Sequence, residues 1–66
     1  MVGVMKLKEY LIKNKINQQD FAKRLGIHYM HVNRIVNGRS FPSRKLALKI
    51  ESLTDKNVSV MELLYP

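Results

Sequence analysis

Residues Asn17 to Pro42 read NQQDFAKRLGIHYMHVNRIVNGRSFP, with a short amphipathic pattern on each side of Gly26. Phe21, Ala22, Leu25, Ile27, Val32, Ile35 and Val36 recur so that one side of both segments can be buried. With side chains turning about 100° per residue, Tyr29, Asn33, Asn37, Met30 and Arg34 share one arc of about 140°. Val32, Ile35 and Val36 fall in the opposite arc. The spacing predicts two helices around a tight glycine turn, the second apolar behind and hydrogen-bonding in front.

Local signals set the ends. Asn17 is a good N-cap, Asp20 can reach back to it as in a capping box, and Ile16 can staple against Phe21. A helix is therefore predicted from Gln18 to Leu25, stopped by Gly26, which tolerates positive φ. Ile27 can staple to Val32, with His28 as a poor N-cap, and the next helix spans about Tyr29 to Asn37 and ends at Gly38.

Outward from this stretch the pattern stays helical. Leu7, Tyr10 and Leu11 predict a helix from Met5 to Lys13, closed by Asn14 in the left-handed conformation. Met1 to Val4 has neither cap nor period, and reads as a mobile lead or as valines covering part of the core. After a loop closed by Pro42, Ser43 caps a fourth helix with Leu46, Ala47, Ile50 and Leu53 inside and Arg44, Lys45, Lys49 and Glu51 outside. Thr54 to Asn57 reads as a turn, and the Ser59–Glu62 capping box, with Val58 stapling to Leu63, starts a fifth helix from Val60 to about Tyr65. No strand alternation, repeat or linker interrupts the chain, so the expected fold is all-α, one domain over residues 1–66.

The totals narrow the chemistry. Sixty-six residues bury only roughly 60% of the unfolded surface, so the core must be small. With no cysteine there is neither a disulfide framework nor a thiolate metal site. No apolar run approaches the ~20 residues of a membrane span, and the Met1 to Met5 segment is too short for a signal peptide core. A cytoplasmic protein is expected. His28 and His31 lie three residues apart, but nothing nearby completes a zinc ligand set. The serines lack a base and an orienting acid, and there is no paired carboxylate or glycine-rich phosphate loop, so neither catalysis nor a cofactor is expected.

Charge points elsewhere. The net charge is +7, from 12 Lys and Arg against 5 Asp and Glu. Between Phe21 and Ile50 lie seven basic residues, Lys23, Arg24, Arg34, Arg39, Arg44, Lys45 and Lys49, and no acid, while the rest balances five against five. Segregation of this kind suits a polyanion partner. A helix anchored from behind with an amide and cationic front suits the major groove of DNA, where Arg and Asn can pair with base edges.

Asn17-Gln18, Phe21-Ala22, Leu25-Gly26-Ile27, Val32, Ile35 and Asn37-Gly38 before Pro42 together resemble the helix-turn-helix of the Cro and phage-repressor type regulators. The resemblance continues through Ser43 to Pro66, which look like that family's fourth and fifth helices. The KLALKIE stretch is closest to small Cro-like members, including antitoxin-like ones of prophages. Two departures stand out: His28 replaces the usual small capping residue, and Val36 a usual glutamate.

The resemblance implies a compact five-helix, lambda-repressor-like domain whose helix-turn-helix covers about residues 18–37, with Tyr29, Met30, Asn33 and Arg34 facing the groove. Arg34 would read a guanine, Asn33 an adenine or a phosphate, Met30 a thymine methyl group, and Tyr29 a phosphate or a base. The alternative for Tyr29 and Met30 is that they complete the core. Gln18 sits where a helix start attracts phosphate, and Asn37, Arg39, Ser40, Ser43 and Arg44 flank the groove helix to hold the backbone.

The expected function is a sequence-specific regulator of double-stranded DNA, a repressor occupying a near-palindromic operator as a dimer in a bacterial or phage-infected cell, associated with the nucleoid. Phe41, Val58, Val60, Met61, Leu64 and Tyr65 either form the dimer contact or close the monomer core. Two rivals stay open: an antitoxin-like module whose main partner is another protein, and a non-specific nucleic-acid binder, which would leave Asn33 and Arg34 without a use.

Overall fold

The computed structural model describes residues 6–65. The reading of Met1 to Val4 lies outside the described residues, as does Met5 itself; the helix expected from Met5 begins only at Leu7, because Lys6 is its extended N-cap (φ −69°, ψ 152°). Within them the chain forms five α-helices in the order α1 (Leu7–Lys13), α2 (Gln18–Leu25), α3 (Tyr29–Val36), α4 (Arg44–Leu53) and α5 (Val60–Leu64), and no strand.

Each helix contributes to one buried cluster. Leu7 and Leu11 come from α1, Phe21, Ala22 and Leu25 from α2, Val32 and Ile35 from α3, Ala47 and Ile50 from α4, and Leu63 from α5, with Val58 between the last two. Tyr10, Ile16, Ile27, Val36 and Leu46 close its edges. The Cα radius of gyration, 10.6 Å, matches the about 11 Å expected of a compact domain this long.

Most ends follow the local signals. Asn17 Oδ1 accepts the Asp20 N–H at 2.7 Å, Ser43 Oγ the Leu46 N–H at 3.1 Å and Ser59 Oγ the Glu62 N–H at 3.1 Å. Gly26 closes α2 at φ 76°, and Gly38 follows α3 at φ 73°.

Several expectations are corrected. Asn14 is not left-handed (φ −95°); its side-chain amide donates to the Tyr10 carbonyl at 2.9 Å, and the positive φ passes to Lys15 at 55°. Leu53, expected inside α4, is 38% exposed because α4 buries Ala47 and Ile50 instead. Glu51, expected in solvent, is half-buried, and its Oε2 accepts the Val60 N–H at 3.0 Å, fastening the start of α5 to α4. Glu62 does not reach back to Ser59; its carboxylate lies 3.4 Å from Lys6 Nζ.

Val58 is fully buried and therefore belongs to the core, not to a contact surface between copies. Beside it Thr54, placed in a turn, is the buried hinge of α4 and α5. Its hydroxyl donates to the Ile50 carbonyl at 2.9 Å and accepts the Val58 N–H at 3.2 Å, so both polar functions are satisfied without water.

Candidate nucleic-acid interface

The α2–turn–α3 unit is fixed from behind. Val32 is fully buried and Ile35 nearly so, which sets the rotation of α3 about its axis. At the turn, the N–H groups of Gly26 and Ile27 both donate to the Ala22 carbonyl, at 2.8 and 3.1 Å. Lys49 of α4 reaches the same place and donates through Nζ to the Leu25 carbonyl at 2.8 Å. A cation at the negative end of α2 is favourable. Lys49 lies on the exposed side of α4, as the sequence places it, and its ammonium also fastens α4 to the end of α2.

At the other side of the turn His28 caps α3. Its Nδ1 accepts the Met30 N–H at 3.1 Å, and its ring stacks on Tyr29 with centroids 5.1 Å apart. Helix α3 thus starts where the sequence places it, although the cap is a side chain seldom used for the purpose.

With the back of α3 fixed, its front stands clear of the core. Tyr29 and Met30 are 41% and 42% exposed, Arg34 is exposed and Asn33 half-buried, which removes the alternative that Tyr29 and Met30 complete the core. Six basic residues remain on this central part: Lys23, Arg24, Arg34, Arg39, Arg44 and Lys45 are all exposed. Among the described residues the ion pair within 4.0 Å is Lys6–Glu62, so none of the six is neutralised by a carboxylate there.

Gln18, Asn33 and Asn37 are brought together. Asn37 Nδ2 donates to Asn33 Oδ1 at 3.2 Å, and Asn33 Nδ2 donates to Gln18 Oε1 at 3.0 Å. They line an open groove of about 320 Å³ that also meets Lys8, Ile12 and Asn17. Arg39, Ser43 and Arg44 are exposed beyond α3, with the Ser43 hydroxyl already engaged as a cap. Ser40 is half-buried and faces a second concavity of about 160 Å³ with Phe41, Lys6 and Leu63.

Sequence reasoning missed the Gln18–Asn33 bond and the role of Lys49. The Asn33–Asn37 spacing of four is a helical signal, but nothing in the chain marks a contact across fifteen residues. Among the described residues, no three His, Cys, Asp or Glu side chains gather as a metal site would require. No helix among them is long and apolar enough to cross a membrane.

Comparison with known proteins agrees with the geometry. A family model described as helix-turn-helix matches residues 7–60. An uncharacterized HTH-type transcriptional regulator of Methanocaldococcus jannaschii is 42% identical over 45 residues, 68% of each chain. No solved structure matches significantly. An all-α fold, a helix-turn-helix with a polar and cationic front, and a family match over most of the length place this chain in the Cro/C1-type helix-turn-helix family of DNA-binding regulators.

Proposed function

We propose that this chain, as a single domain over residues 1–66, is a sequence-specific, Cro-like repressor that occupies an operator with α3 in the major groove and catalyses nothing. The observation that carries this reading is the two-sided construction of α3. Val32 and Ile35 are locked into the core, while Tyr29, Met30 and Arg34 are exposed with Asn33 half-buried beside them, and no carboxylate of the described residues pairs with the Arg34 guanidinium. In this reading those four side chains meet base edges, and Gln18, Asn37, Arg39, Ser40, Ser43 and Arg44 meet the backbone on either side.

One such helix spans only a few base pairs, so two copies on half-sites one helical turn apart would double the contacts. Phe41, Met61 and Tyr65 are 62%, 65% and 72% exposed and supply apolar surface for that contact, with Val60 and Leu64 half-buried beside them. The same surface supports the second reading, an antitoxin-like module that binds another protein there. A cytoplasmic, nucleoid-associated protein suits either.

Selection of bound duplexes from a random pool at two salt concentrations tests the proposal. It predicts enrichment of a near-palindrome with half-sites about 10 base pairs apart. If no sequence is enriched and all duplexes bind alike, the specific-repressor reading is lost.

A further inference from the structure

His28 caps α3 with a ring nitrogen, and a ring nitrogen can be protonated. Its Nδ1 accepts the Met30 N–H at 3.1 Å, so the imidazole that makes this bond is neutral and carries its proton on Nε2. A second proton would sit on Nδ1 itself. The cap and the imidazolium therefore exclude each other, a conflict that a serine, threonine or asparagine cap does not have. The imidazole is exposed and stacks on Tyr29. Around the turn, α2 brings Lys23 and Arg24 in its last turn, α4 brings Lys49 to the Leu25 carbonyl, and α3 carries His31, whose N–H donates to the His28 carbonyl at 3.0 Å. Among the described residues no carboxylate lies within 4.0 Å of the ring to hold the imidazolium in place of the cap.

Resting on the groove-reading role of α3 proposed above, we infer that His28 is a proton-operated latch on base discrimination, acting as a positioning residue. Neutral, it holds the first turn of α3 in reading geometry; protonated, it releases that turn and becomes one more cation beside the DNA. The first turn carries Tyr29 and Met30, both assigned above to base edges. Once the cap is lost, the Met30 N–H has no partner within the helix, and the new charge stands at the positive end of the helix dipole. Both changes loosen the turn. A matched duplex needs that turn ordered and is weakened by its loosening, whereas an unmatched one is held through its phosphates and is not. The added cation meanwhile strengthens binding to any duplex. The two effects act in the same direction, lowering the ratio of matched to unmatched affinity as the medium turns acidic. A free imidazole titrates at about pH 6.5, which sets the window of the test.

The test is competition between a selected duplex and an unrelated one at about pH 7.5 and about pH 5.5, on either side of the imidazole range, at constant ionic strength. It uses the wild-type chain, His28→Ser and His31→Gln, each checked for folding by its thermal transition. The wild-type ratio of matched to unmatched affinity should fall by about two- to fivefold on acidification, the factor that an N-cap contributes. His28→Ser, whose hydroxyl caps without titrating, should keep nearly the same ratio at both values. His31→Gln should lose discrimination as the wild type does. If His28→Ser does not fold, His28→Asn supplies another cap that does not titrate and carries the same expectation. A wild-type ratio that stays level, a ratio that falls equally in His28→Ser, or a pH effect abolished by His31→Gln overturns the inference and leaves the repressor reading standing. A wild-type chain that enriches no sequence at neutral pH overturns both.

Discussion

Lys49 and Leu25 lie 24 residues apart in sequence, yet Lys49 Nζ donates to the Leu25 carbonyl at 2.8 Å, joining α4 to the turn of the helix-turn-helix. The bond satisfies one of the carbonyls left open at the end of α2 and puts a positive charge at the negative end of its dipole. Lys49→Met, which keeps the aliphatic stem, should lower stability by about 1 kcal/mol, read as a shifted denaturation midpoint at constant slope. It should leave the salt dependence of DNA binding unaltered, because this cation is engaged by the Leu25 carbonyl. A shallower salt slope would place Lys49 among the phosphate contacts instead.

Thr54 has no exposed surface and completes the junction of α4 and α5 with both polar functions of its hydroxyl. Thr54→Val preserves the shape but leaves the buried Val58 N–H without a partner. Thermal or chemical unfolding should show a loss of about 1 to 3 kcal/mol. Thr54→Ser retains the hydroxyl and should cost less.

His28 caps α3 with a ring nitrogen where a serine hydroxyl does the same work with a shorter reach. His28→Ser should raise stability by roughly 0.5 kcal/mol, seen as a higher Tm. A lower Tm would mean that the stack of His28 on Tyr29 outweighs the better cap.

Arg34 and Arg39 are both exposed, but one sits on the front of α3 and the other just past its end. In binding titrations over single-base variants of a selected site, Arg34→Ala should cost ~1 to 3 kcal/mol at one base pair. Arg39→Ala should weaken all variants alike and flatten the salt slope by roughly one unit. Equal effects of both substitutions on every variant would contradict this division of labour.

The limits of α2 were legible because both carry a local signal, Asn17 before it and Gly26 after it. The front of α3 was legible from periodicity, since Val32 and Ile35 fix its rotation. What could not be read was side-chain traffic between distant elements. Lys49 is exposed as read, but its bond to Leu25 was not visible; Glu51 looked like surface, and Val58 like either a contact between copies or core, and each is settled by a neighbour that folding brings to it. Asn14 shows the local limit: a residue able to be left-handed spends its amide on Tyr10 and leaves the turn to Lys15. The amide chain combines both cases, its Asn33–Asn37 half written in the helical repeat and its Gln18 half visible only once α2 and α3 pack.

Methylation by dimethyl sulfate tests the central claim most directly, because the reagent attacks guanine N7 in the major groove and adenine N3 in the minor groove. On a selected duplex, α3 in the major groove predicts that the bound chain shields guanine N7 in each half-site, about one helical turn apart, and that Arg34→Ala removes the shielding at one guanine per half-site. Adenine N3 should react as in free DNA. Shielding of adenine N3 with guanine N7 left open, or guanine protection that Arg34→Ala does not change, would contradict the account.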